Sequence, residues 1–196
     1  MAENEDRLAD EERSEYEEAR LQRRRVALES VRQWGDPVLR SIASEVTSFD
    51  SALAAEVQLM AELMEHASGV GLAAPQIGSL RRTFVYRIEQ DAPATVLVNP
   101  RIVWTSDEEE LALEGCLSLV DGEFALQISR PLEVRVEAFN VHGRPLTVEA
   151  EGLEARVIQH EYDHLDGVLI LDRAHPEERR EALRSLREAS EQAVAR

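Results

Sequence analysis

The tightest constraint on how this chain can fold is the run His160-Glu161-Tyr162-Asp163-His164. On a helix, residues four apart share a face one turn from each other, so both imidazoles project to one place. The apolar residues Leu153, Val157, Ile158 and Leu165 recur on the same segment. They read as the stripe that anchors it to a core, so the histidine face is expected to adjoin packed structure. The spacing predicts a helix over 153–165, closed by Gly167. Two histidines so arranged reach one metal ion. Glu161, beside the first of them, is placed to handle the proton of an attacking water.

The rest of the chain supplies a shell for such a helix. Asp50 or Ser51 caps a helix whose Leu53, Val57, Met60, Met64 and Ala67 form one buried stripe, with Gly69 as the stop. Short β-branched runs at 83–88, 95–98 and 102–105 are punctuated by Pro93 and Asn99-Pro100. Alternation over 134–139 and 146–148 around His142-Gly143 reads as a hairpin. A last helix, arginine-rich, runs over 176–194. There is no strand-helix-strand alternation. The class is therefore α+β, with mostly antiparallel β-sheets packed around a central metal-binding helix, plus an N-terminal and a C-terminal helix. The expected organisation is a charged extension, helical or disordered, over 1–28, a compact domain over 29–173, and a C-terminal amphipathic helix over 174–196.

Charge and cysteine content narrow the partners. The formal charge is −17 and the chain contains no lysine, so all 22 cations are arginines. So acidic a surface argues against direct binding to nucleic acid, where phosphate contacts dominate. No apolar run reaches membrane-spanning length. The charged N-terminus lacks the apolar core of a secretory signal, which predicts a cytoplasmic protein. The single cysteine, Cys116, cannot form an internal disulfide.

A catalytic site built on two histidines needs a third protein ligand and an open position. An elongated metzincin pattern would require histidine at 170, where the chain has Ile170. Glu177, Glu178, Glu181, Glu188 and Glu191 alternate with arginines and read as a solvated face. Cys116 lies between β-like segments in Glu114-Gly115-Cys116-Leu117-Ser118, and a thiolate binds such metals strongly. It is the third ligand of choice. Asp163 reads as a carboxylate that orients a ligand or pairs with an arginine. His66, His142 and His175 read as surface residues, and Trp34 and Trp104 as packing.

Three segments together resemble the motifs of the peptide deformylase family. They are Gly69-Val70-Gly71-Leu72-Ala73-Ala74-Pro75-Gln76, then Glu114-Gly115-Cys116-Leu117-Ser118, then His160-Glu161-Tyr162-Asp163-His164-Leu165-Asp166-Gly167, in the family's order. Asp36-Pro37-Val38-Leu39-Arg40 resembles the family's opening, so the similarity covers about 30–172. The resemblance implies hydrolysis of the formyl group from N-formylmethionyl nascent peptides. Cys116, His160 and His164 would hold one divalent metal, natively Fe2+, with Zn2+, Ni2+ or Co2+ able to replace it. Glu161 would serve as base and then acid, and the Gln76 amide and Leu117 N–H would stabilise the oxyanion. Backbone at Val70, Gly71 and Gly115 would bind an extended peptide, and Val157 would line the methionine pocket. Two departures stand out. The loop Leu119-Val120-Asp121-Gly122-Glu123-Phe124 replaces the family's apolar-proline pattern, which bears on substrate contacts. The C-terminal helix is charge-balanced where family members can dock on the ribosome through a basic one, implying at most weak or transient ribosome association. A non-catalytic descendant of the family would be expected to lose Glu161 or Gln76, and both are present.

Overall fold

The structure, a computed structural model, describes residues 2–119 and 124–194, with side chains described for 13–119 and 124–188. The expected change in the 119–124 loop falls largely on 120–123, outside the described residues. Five helices and seven strands follow in chain order: α1 (Ala2–Leu28), α2 (Ser51–His66), β1 (Gly71–Ala73), β2 (Thr83–Tyr86), β3 (Thr95–Thr105), β4 (Glu109–Gly115), β5 (Ala125–Pro131), β6 (Glu133–Phe139), β7 (Pro145–Glu151), α3 (Gly152–Leu165), α4 (Ile170–Arg173) and α5 (Pro176–Val194).

The charged extension is helical. Among its residues with described side chains, 13–28, those of the last turn are sunk into the protein, where Ala27 and Leu28 are buried together with the following Val31. In α2 the carboxylate of Asp50 accepts from the Ala52 and Leu53 backbone N–H groups at 3.0 Å each, satisfying donors that a helix start leaves orphaned. Its predicted stripe is the buried one: Leu53, Val57, Met60, Met64 and Ala67 face the core. The expected stop at Gly69 is corrected by one residue, because Ser68 takes the left-handed conformation (φ 57°).

Two antiparallel sheets form. One has the order β1-β2-β3-β6-β7, and the other is the separate pair β4-β5. The two runs at 95–98 and 102–105 make a single strand, β3. Asn99-Pro100 interrupts it without ending it: Asn99 has φ 51° and the register with β6 shifts there. The Asn99 side chain clamps the Val46 backbone, accepting from its N–H at 2.7 Å and donating to its carbonyl at 2.9 Å. Trp34 packs against the core as expected. Trp104 does not; it is half-exposed, with the Arg135 guanidinium 6.0 Å from its ring.

Helix α3 lies between the two sheets. Ala155, Ile158 and Leu165 pack with Phe84, Leu97, Val134 and Val136 of the five-stranded sheet. On the other side Leu126 and Ile128 of β5 share a cluster with Cys116, Leu119 and the apolar faces of α4 and α5. Leu153, expected in the anchoring stripe, is 56% exposed at the start of α3. Among the described residues no helix is long and apolar enough to cross a membrane.

Two left-handed glycines, one opening α3 and one just past its end, differ in surroundings. Gly152 has φ 56° with open space where a Cβ would stand, whereas at Gly167 (φ 70°) a Cβ would lie 2.7 Å from the Arg40 carbonyl carbon and oxygen. Gly152→Ala is expected to cost about 1 kcal/mol from backbone conformation alone. Gly167→Ala should cost more than about 2 kcal/mol, because the Arg40 backbone must also move. Denaturant midpoints of the two variants, compared with the parent, check the difference.

Candidate metal centre

The second motif delivers its cysteine from the end of β4, where the chain turns, the Leu119 N–H donating to the Cys116 carbonyl at 2.9 Å. Helix α3 delivers the two histidines. The Cys116 Sγ stands 3.3 Å from His164 Nε2, and one ligand atom from each of Cys116, His160 and His164 lies within 4.8 Å of the others. Donors bound tetrahedrally at 2.0–2.3 Å stand about 3.3–3.8 Å apart, so small side-chain shifts suffice to seat a cation. Sulfur plus two imidazole nitrogens is a donor set for a first-row transition metal or zinc.

Each histidine is prepared differently. His160 Nδ1 faces Glu114 Oε2 at 3.1 Å, which leaves Nε2 for the shared position. Burial alone would lower the His160 pKa, but contacts with Cys116 and Glu114 override it and raise it well above the usual imidazole value. A cation taking the shared position must displace that proton. His164 is buried, and that desolvation, reinforced by the charge at His160 and nearby arginines, holds its pKa well below the usual value, so it is neutral and ready as a ligand.

Glu161 points into the same space. The residue is 3% exposed, and Oε2 has no hydrogen-bond partner among the described residues. Burial pushes its pKa up to about 7; a neighbouring cation works against that rise. The carboxyl fits because Gly71 has no side chain: a Cβ there would lie 2.7 Å from Glu161 Cδ. Gly71 is therefore required by the helix packed against β1, a reason its neighbours in sequence do not reveal. Gln76, fully buried, accepts from the Ala73 N–H through Oε1 at 2.8 Å, which turns its amide nitrogen toward Cys116 Sγ (3.8 Å) and Ser118 Oγ (3.3 Å).

These groups open into a cleft of about 260 Å³. Of the metal-ligand, catalytic and peptide-contact residues expected from the sequence, all but His164 line it: Val70, Gly71, Gln76, Gly115, Cys116, Leu117, Val157, His160 and Glu161. Leu113 and Leu153, both largely exposed, add an apolar rim. His66, His142 and His175 are exposed and outside the site.

Sequence reasoning missed the ionic web beneath the metal ligands. Arg130 Nε and Nη2 donate to Glu114 at 2.7 and 2.9 Å, and its Nη1 donates to Asp163 at 2.8 Å. Arg156 Nη1 donates to Glu114 at 2.8 Å, and Arg173 binds Asp163 at 2.6 and 3.1 Å. Asp163 thus pairs with arginines, one of its two expected roles. A signal was present: Leu126, Ile128 and Arg130 alternate on the buried face of β5, an arginine in register with core residues.

Burial opposes ionisation of Glu114, yet the His160 and Arg130 contacts win and lower its pKa from 4.5 to about 2. A depressed carboxylate pKa contributes stability in full above the unfolded value and loses it as pH falls toward the folded one. Metal-stripped protein should therefore lose stability between pH 4.5 and 2, and Glu114→Gln should flatten that limb when urea midpoints are followed against pH. Arg130→Met leaves two buried carboxylates short of a partner and is expected to cost about 3–5 kcal/mol by the same measurement at neutral pH.

Comparison with known proteins agrees with this geometry. The sequence profile of the polypeptide deformylase family matches residues 28–180. A peptide deformylase of Thermotoga neapolitana is 49% identical over 149 residues, covering 76% of this chain and 88% of that protein. The solved peptide deformylase of Legionella pneumophila superposes with a TM-score of 0.78 at 38% identity, covering 85% of this chain and 97% of that one. That of Thermotoga maritima gives 0.71 at 44% identity, covering 74% and 97%.

Proposed function

This chain belongs to the polypeptide deformylase family, which removes the N-formyl group from formyl-methionine termini, and from that premise we propose how its own residues carry out the hydrolysis. One observation carries the assignment: a sulfur and two imidazoles converge within 4.8 Å beside a buried carboxylate whose second oxygen has no partner.

Cys116, His160 and His164 would hold one divalent cation, natively Fe2+, in a site whose donors would also accept Zn2+, Ni2+ or Co2+. Bound there, the cation would supply Lewis acidity. Glu161 takes the proton of the attacking water. It then returns a proton to the amine nitrogen as the C–N bond breaks, leaving formate and a free methionine amino group. Burial raises the proton affinity of this carboxyl, which favours its holding the proton between the two halves of that exchange. Gln76 Nε2 and the Leu117 N–H donate to the formyl oxygen as it gains charge. The peptide lies extended along the backbone of Val70, Gly71 and Gly115, which requires no particular side chains after the first residue. The methionine side chain packs against Val157 with Leu113 and Leu153.

We place the protein in the cytoplasm, where formylated nascent chains emerge and a buried thiolate ligand stays reduced. Its exchange with the ribosome is transient. On α5, Ala182 and Leu186 are spent on the core, and the arginines are interleaved with glutamates. The extension over 1–28, the catalytic domain over 29–173 and the helix over 174–196 are proposed as separate functional parts.

Formate release from a formyl-methionyl peptide, with elemental analysis of protein prepared without oxygen, tests the residue roles. Glu161→Ala is expected to keep its metal and lose turnover, whereas Cys116→Ala should lose both. Gln76→Ala should keep the metal and lose about a hundredfold in kcat. Turnover in Glu161→Ala at the parent rate, or full metal occupancy in Cys116→Ala, would overturn the corresponding role.

A further inference from the structure

A second groove shares Ser68, Gly69 and Val70 with the catalytic cleft, so the two are continuous. One wall of it is α1, almost all of which precedes the family-matched region. From α1 come Arg20 and Arg23, and Arg87 lines the groove from just after β2. Arg87 is engaged with Glu65 at 3.4 Å and, through its backbone N–H, with the Val70 carbonyl at 2.8 Å. Arg23 uses Nε to cap the Ala19 carbonyl at 3.3 Å. Among the described residues neither Arg20 nor Arg23 takes part in an ion pair. Glu65 and Asp91 are the carboxylates lining this groove, against three guanidinium groups. A local excess of positive charge on a chain of formal charge −17 runs against the protein's own field. Because Ala27 and Leu28 at the base of α1 are buried in the core, the helix presents Arg23 about one turn and Arg20 about two turns before that anchor.

We propose that this groove receives the residues of the formylated peptide downstream of the methionine, and that Arg20 and Arg23 make acidic residues there the favoured ones. The inference rests on the deformylase reading above. A peptide held extended past Val70 advances about 3.4 Å per residue and so leaves the cleft toward α1 within a few residues. Backbone contacts near the metal are indifferent to sequence, whereas exposed guanidinium groups reading carboxylates give a modest, salt-sensitive bias.

The experiment uses the metal-loaded full chain and formyl-Met-Ala-Ser peptides extended by two aspartates, two asparagines or two lysines, with formyl-Met-Ala as the short reference. The parent protein is expected to show kcat/KM for the aspartate peptide about threefold to tenfold above that for the lysine peptide at low ionic strength. The preference should fall mainly in KM and shrink in 0.5 M salt. The double variant Arg20→Glu, Arg23→Glu should lose or invert it while hydrolysing formyl-Met-Ala at the parent rate, which also verifies that the variant is folded. An equal preference in parent and double variant, or no preference in the parent, would overturn the proposal. Failure of the parent to release formate from formyl-Met-Ala would instead overturn the deformylase assignment itself.

Discussion

The pair β4-β5 shares no strand with the larger sheet, yet it carries the cysteine that must meet two histidines on α3. What ties them is a buried guanidinium, Arg130 of β5, held between Glu114 of β4 and Asp163 of α3. Burying such charges is expensive unless each is fully bonded. Here Arg130 uses all three nitrogens, Glu114 accepts from two arginines and His160, and Asp163 accepts from two arginines. The geometry of the metal ligands follows from that closure. Glu114 fixes which nitrogen of His160 is free, and it lies two residues before Cys116, so one carboxylate sets the position of ligands on two elements.

Apolar packing alone would not achieve this. The cluster behind Cys116 contains Leu119, Leu126, Ile128 and Leu171, whose contacts are non-directional and tolerate sliding. Directed bonds from a planar guanidinium do not. The ionic web therefore contributes register more than net stability: it selects the arrangement in which sulfur and imidazole nitrogens converge.

How far this was legible in the sequence follows from what each residue announces. The histidine pair carries its geometry in its spacing, and Cys116 was identifiable because the rival ligands were a wrong residue, Ile170, or members of a solvated helix. The buried face of β4 was not legible. In Glu109–Gly115 the leucines that should mark a buried face, Leu111 and Leu113, point outward and are 64% exposed, while the buried position is held by Glu114. Pattern reading inverts such a strand. Asn99-Pro100 looked like a break because proline removes a ladder donor, but the Asn99 side chain bonds to the Val46 backbone and β3 continues past it. Leu153 and Trp104 misled in the opposite direction: apolar residues on a surface are common, and Leu153 is exposed because it borders the cleft.

Glu161 shows how packing sets chemistry. Its carboxyl lies against β1 where Gly71 offers no side chain, so the same closeness that excludes water from it also weakens its acidity. A cation held by Cys116, His160 and His164 would pull in the other direction, towards the ionised carboxylate. A side chain at position 71 would push the carboxyl away from β1, into the cleft that both residues line. The absence of one methyl group on a short strand thus links backbone packing to proton affinity. The floor under the carboxylate is the reason β1 begins with a glycine, where a Cβ would meet Glu161.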